Sequence, residues 1–187
     1  MIHGIQTIYK DRLYRSRLEA RWAAFFDLVG WMFEYEPYEF NGWIPDFIII
    51  GKRDAVLVEV KPFTHFEEFD TGKILNAMGN VRKEVLLLGL CIWPETDIET
   101  ASVGWLGEQE YWTDEGGCAW ASALFSTLGG LGFAHADWSF HNRITGEQDG
   151  HIAPPTGAEW EEIMRKWNEA ANIVQWFPRN QANEKRA

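Results

Sequence analysis

The 187-residue chain has a mass of 21.6 kDa, is 46% hydrophobic and 24% charged, and carries a formal net charge of −11. This length and mixture fit one folded domain or a domain with an elaborated tail, and exclude a disordered or low-complexity chain. No apolar run approaches the roughly 18–20 residues of a membrane span, and Met1–Lys10 lacks the basic start and apolar stretch of a signal peptide.

Neither membrane insertion nor secretion is therefore expected. The two cysteines, Cys91 and Cys118, cannot make a disulfide framework, which fits a reducing cytoplasm. Charge is distributed unevenly. Residues 1–94 hold 11 of the 17 Lys and Arg against 13 Asp and Glu, whereas residues 95–187 hold 6 against 15. The acidity thus belongs to the second half, and Lys10, Arg12, Arg15, Arg17 and Arg21 form a local basic patch in the first. Such a patch keeps a polyanionic partner in play despite the acidic total.

The first element expected is an amphipathic helix over Tyr14–Val29. Leu18, Trp22, Phe25, Phe26 and Val29 form one apolar stripe that Gly30 ends. Next, Trp31, Phe33 and Tyr35 alternate with Met32, Glu34 and Glu36 up to Pro37, the period of a half-buried strand. Trp43–Ile50 and Ala55–Val60 read as two buried strands joined by a hairpin loop, Gly51–Asp54. After Pro62, a helix is expected over 71–83 and a strand covered on both faces over Val85–Trp93, ended by Pro94. Ala101–Leu106 suggests a further strand and Gly116–Gly132 a packed helix of small residues. Thr156-Gly-Ala-Glu159 has the form of a capping box and opens a last helix carrying Trp160, Ile163, Met164, Trp167 and Ala171. Arg179–Ala187 is polar and expected to fray.

The residues that point to chemistry are Asp46, Glu59 and Lys61. Side chains alternate along a strand, so Glu59 and Lys61 share a face that Val58 and Val60 do not. If the strands pair around 51–54, Asp46 comes opposite Glu59. Two carboxylates held that close repel each other unless a cation lies between them, and such oxygen ligands suit Mg²⁺ or Mn²⁺. Lys61 beside them can hold or deprotonate a water. Glu19, at the border of the helix stripe, can reach the same sheet edge and bind metal directly or through water. It has a simpler role available, because Ser16-Arg-Leu-Glu19 is itself a capping box. These residues suit phosphodiester hydrolysis, in which a metal lowers the pKa of a bound water and neutralises charge on the phosphate. Arg15, Arg17 and Arg21 are candidates for holding DNA phosphates, against the simpler reading of a solvated helix face. Cys118, His135, His141 and His151 have spacings that match no compact zinc pair and read as polar surface. Trp22, Trp160 and Trp167 fall on apolar helix faces and read as core.

Ile44-Pro45-Asp46 followed by Glu59-Val60-Lys61, within helix, three strands, helix, strand and preceded by Glu19, resembles the PD-(D/E)XK nuclease superfamily. The resemblance covers residues 14–93, and Tyr14-Arg-Ser-Arg-Leu-Glu-Ala20 looks like small phage and mobile-element members. It implies an α/β fold: a nuclease-like core at 1–94 with a mixed central sheet flanked by helices, and an acidic C-terminal elaboration, 95–187, packed on it. It also implies Asp46 and Glu59 as metal ligands, the Val60 carbonyl as a backbone ligand, Lys61 as the group activating water and Glu19 as the accessory acid. The expected activity is Mg²⁺- or Mn²⁺-dependent DNA cleavage, with a homodimer as one way to supply two cuts. The alternative is an inactive nuclease fold that binds a protein partner, which the acidic second half favours.

Overall fold

The computed structural model describes residues 4–78, 83–95, 100–108, 119–136 and 141–175. It is an α/β structure with a mixed central sheet and three helices. A two-stranded hairpin comes first, β1 (Thr7–Tyr9) and β2 (Arg12–Tyr14), turned by Lys10 and Asp11 at φ 45° and 60°. Helix α1 spans Arg17–Val29; Ser16, in extended conformation, accepts from the Glu19 amide, and Gly30 ends it at φ 80°. The helix is therefore three residues shorter than the stripe suggested. Tyr14 belongs to β2, because the extended cap at Ser16 stops helical geometry from reaching back to it.

Three antiparallel strands follow: β3 (Met32–Tyr35), β4 (Phe47–Ile50) and β5 (Ala55–Val60). The expected strand over Trp43–Ile50 shortens to its last four residues. Helix α2 (Gly72–Met78) leads to β6 (Val85–Leu88), which runs parallel to β5; the expected continuation of that helix reaches residues outside the described set. The apolar run Val85–Trp93 is two strands, since β7 (Trp93–Glu95) turns away to pair with β8 (Thr100–Glu108). Gly89 makes the break: a Cβ there would lie 2.5 Å from the Trp93 ring and 2.6 Å from the Phe63 carbonyl. Pro94 does not end a strand but sits inside β7, tolerated because β7 pairs on one side only.

The segment read as a small-residue helix is instead strand β9 (Ala119–Ser126), paired with β8 and with β10 (Gly132–His135); 116–118 lie outside the described residues. Eight strands thus form one sheet in the order β10-β9-β8-β6-β5-β4-β3, with β7 beside β8. Helix α3 (Gly157–Ile173) starts at Thr156 with the full capping box to Glu159.

Alternation along β5 sorts the core into two layers. Val56, Val58 and Val60 face α1, whose Trp22, Phe25 and Phe26 are wholly buried, and α3 closes over it with Trp167 4.4 Å from the Trp22 ring. Ala55 and Leu57 face α2 and a second apolar cluster that includes Trp43, Phe63 and Ile74. Among the described residues no helix is long and apolar enough to cross a membrane.

Candidate active site

The β4–β5 turn fixes the register. Gly51 N–H donates to the Asp54 carbonyl at 2.9 Å, Ile50 opposes Ala55 and Phe47 opposes Val58. One step further along the ladder, Asp46 meets the end of β5, and its Oδ2 accepts from the Val60 N–H at 2.8 Å. Asp46 is 1% exposed and Glu59 is also buried. Lys61 Nζ lies 2.5 Å from Glu59 Oε1, 3.2 Å from the Val60 carbonyl oxygen and 3.6 Å from Asp46 Oδ2. Two carboxylates and one peptide oxygen therefore converge on the lysine ammonium. Glu59 Oε2 accepts from the Trp43 indole at 2.9 Å.

Glu19 reaches the cluster from α1 but does not touch its other acids. Its Oε2 accepts from the Tyr35 hydroxyl at 2.6 Å and from the Arg15 N–H at 3.2 Å, while Oε1 takes the Ser16 hydroxyl at 2.8 Å. Only half of the expected capping box forms. Ser16 takes the Glu19 amide, while the Glu19 carboxylate takes the Arg15 N–H in place of the Ser16 N–H, and the same side chain lies beside the site. The Arg15 guanidinium links the parts: Nη2 is 2.5 Å from Asp46 Oδ1, Nε is 2.8 Å from Glu36 Oε1 and 4.0 Å from Glu19 Oε2.

The three arginines have different surroundings. Arg21 stacks on the Trp167 ring at 3.6 Å and donates to the Trp167 carbonyl, so it ties α1 to α3. Burial pulls its pKa down to about 10, which leaves it charged at neutral pH. Arg17 makes no ion pair among the described residues, and its Nε is buried without an acceptor. Cys118 lies outside the described residues. His135 is not surface, as its loop-like context suggested, but wholly buried in β10 opposite Ala123.

Glu36, Tyr35 and Trp43 were not singled out from the sequence. Trp43 carried a signal, an indole N–H in an apolar stretch beside acids, whereas Glu36 carried none. It holds a left-handed backbone, φ 46°, and its N–H donates to the Asp46 carbonyl at 2.9 Å.

The electrostatics follow from this geometry. Burial raises the Glu59 pKa above its ordinary value and the Asp46 charge adds to that, against Lys61 and Trp43. Burial works to lower the Lys61 pKa, but Asp46 and Glu59 outweigh it and the ammonium is held protonated. Four carboxylates, Glu19, Glu36, Asp46 and Glu59, face two cations, Arg15 and Lys61. The surplus equals the charge of one divalent cation.

The donor set fits Mg²⁺ or Mn²⁺: hard oxygens from Asp46, Glu59 and the Val60 carbonyl, already gathered around a positive charge. No group of three or more His, Cys, Asp or Glu side chains is arranged to hold a metal among the described residues, the third ligand here being backbone. A cavity of about 630 Å³ lies elsewhere, under the β1–β2 hairpin, between Tyr9, Arg12, Trp31 and Met32. No family model, curated protein or solved structure matches the chain.

Proposed function

We propose that the chain is a Mg²⁺- or Mn²⁺-dependent nuclease that hydrolyses DNA phosphodiester bonds. The observation that carries this reading is the convergence of Asp46, Glu59 and the Val60 carbonyl on the Lys61 ammonium, within a cluster that keeps two surplus negative charges. A structural ion pair has no need of such a surplus. The order helix, three antiparallel strands, helix and parallel strand is similar to the PD-(D/E)XK arrangement and supports the same reading.

Asp46, Glu59 and the Val60 carbonyl would hold the metal, with Glu19 reaching it through water. The bound ion supplies Lewis acidity to the phosphate and a lowered pKa to water. Lys61 hydrogen-bonds the attacking water. Its raised pKa keeps it protonated beside Asp46 and Glu59, so it would donate to the water oxygen and orient it. Trp43 fixes the Glu59 carboxylate and Tyr35 fixes that of Glu19. Arg17, which lacks an acidic partner among the described residues, is the better candidate of the two outer arginines for a flanking phosphate. The reading places the protein in the cytoplasm, with a second copy as one source of a second cut.

The test is incubation of labelled linear duplex, single-stranded, circular and four-way-junction DNA with Mg²⁺ or Mn²⁺. Asp46→Ala and Lys61→Ala are run in parallel. Metal-dependent cleavage is expected, with each substitution lowering the rate at least about 100-fold, the scale of a positioned proton-transfer or charge-stabilising group. If the folded protein leaves every DNA intact with metal present, the nuclease reading fails and binding to a protein partner takes its place.

A further inference from the structure

Arg15 occupies one oxygen of the central ligand. Asp46 is almost fully buried and both its oxygens are engaged, Oδ2 by the Val60 N–H and Lys61 and Oδ1 by Arg15 Nη2. A carboxylate oxygen in a charge-assisted bond with a guanidinium has less electron density to give a metal. Yet Arg15 is not a buried fixture. Its side chain is 53% exposed; Nε and Nη2 hold Glu36 and Asp46, and the Tyr35 hydroxyl also lies against the guanidinium. Among the described residues no carboxylate pairs with Nη1.

Glu36 shows that this arrangement is held against a cost. A left-handed φ on a residue with a side chain is worth roughly 1–3 kcal/mol of strain. The strain persists because the Glu36 N–H is bonded to the Asp46 carbonyl and its carboxylate to Arg15. The guanidinium is thus parked between the metal-binding acid and a second acid at the rim, with its free edge toward solvent. A phosphate diester offers two oxygens in the geometry that a guanidinium fork prefers.

We propose that Arg15 couples nucleic-acid binding to cation loading: it masks Asp46 until a backbone phosphate takes the guanidinium and releases Asp46 Oδ1. This inference rests on the nuclease reading and specifies how its site is switched. The phosphate first reaches Nη1 and then replaces Asp46 on the fork, while Glu36 keeps Nε from leaving the rim. Coupling of this kind is reciprocal, so nucleic acid tightens metal and metal tightens nucleic acid by one factor.

The test measures Mn²⁺ affinity by titration calorimetry, without turnover, on the full chain and on Arg15→Gln. Each is titrated alone and saturated with a short phosphorothioate duplex that resists cleavage. Arg15→Gln alone is expected to bind Mn²⁺ more tightly than the unaltered protein, by a factor within the roughly 5- to 150-fold range of such couplings. The duplex is expected to tighten Mn²⁺ binding to the unaltered protein much more than to the variant. If Arg15 merely shaped the site, the variant would bind Mn²⁺ more weakly, and equal or weaker binding overturns the proposal. Should Arg15→Gln fail to fold, Arg15→Lys, which keeps the charge but lacks the fork, carries the same expectation at smaller size. Absence of Mn²⁺ binding to any of these proteins, with or without duplex, overturns the nuclease reading and the coupling with it. Equal Mn²⁺ binding across them overturns the coupling alone.

Discussion

The sheet carries two clusters of buried charge, and they are built on opposite principles. Beyond β10, the Arg143 side chain is 0% exposed, with Nε 2.9 Å and Nη2 2.6 Å from the Glu84 carboxylate and Nη1 2.8 Å from the His141 carbonyl. Beside it, Asn142 donates to the Ser126, Leu128 and Gly130 carbonyls and accepts from the Ile144 and Thr145 amides. The Glu84 carboxylate is held on two nitrogens of one guanidinium there, and the loop is clamped so closely that a Cβ on Gly51 would fall 1.8 Å from the Arg143 carbonyl oxygen. At the ends of β4 and β5 the acids outnumber the bases, and the bases, Arg15 and Lys61, are half exposed. A buried, clamped guanidinium holds loops together; a cluster in which acids outnumber half-exposed cations is prepared to take another charge.

The sealed cluster should give the largest loss when broken. Glu84→Ala removes the carboxylate that holds Nε and Nη2 of the buried Arg143 guanidinium, and the expected cost is about 3–5 kcal/mol, measured as the fall in unfolding free energy in urea. Replacing both residues together, Glu84→Leu with Arg143→Met, should recover part of it, because the buried guanidinium is then removed along with its carboxylate. A small cost for Glu84→Ala alone would erase the contrast between the clusters.

The contrast also explains what the sequence disclosed. The α3 start was legible because Thr156 and Glu159 settle it between themselves, three residues apart. So was the pairing of Asp46 with the end of β5, since a short turn at 51–54 leaves little freedom in the register. Strand β9 was not, because Ala-Trp-Ala-Ser-Ala-Leu-Phe-Ser fits either period and is decided by its pairing with β8 and β10 rather than by its own pattern. The masking of Asp46 was hidden for a similar reason. Arg15 meets it across 31 positions, through a left-handed Glu36 that no local rule announces. Asp46, Glu59 and Lys61 could be named from spacing, whereas the groups that hold them depend on how the hairpin and β3 come together.

The second effect has the opposite sign to the first. The Glu59 pKa is raised, through burial first and Asp46 second, so the folded protein holds that proton more tightly than the unfolded chain. Stability tied to the proton is complete below the ordinary value of 4.5 and is lost as pH rises through the raised folded value. Glu59→Gln cannot ionise. Above that window, with metal removed by chelator, it should be the more stable protein, by on the order of 1 kcal/mol, the usual size of such gains. Below pH 4.5 the difference should close. Urea unfolding at both pH values checks this, and a variant less stable at neutral pH would mean that Glu59 is bound as Glu84 is.

The smallest effect is expected where the site borders the core. Tyr35 donates to Glu19 at 2.6 Å and accepts from the Arg15 N–H at 3.1 Å. Burial and the neighbouring Glu19 push the phenol pKa up, so it remains a donor throughout the neutral range. Tyr35→Phe keeps the ring against Tyr14 and Phe47, with centroids 4.5 and 5.2 Å away, and removes only the hydroxyl. Glu19 retains the Ser16 hydroxyl, and the Arg15 N–H retains Glu19 Oε2. The loss should therefore stay at about 0.5–1.5 kcal/mol although two hydrogen bonds go, because both groups that lose the hydroxyl keep another partner. Thermal and urea unfolding measure it directly. A loss above about 3 kcal/mol, on the scale of a broken buried pair, would make Glu19 part of a sealed cluster and deny it the freedom that reaching a metal through water requires.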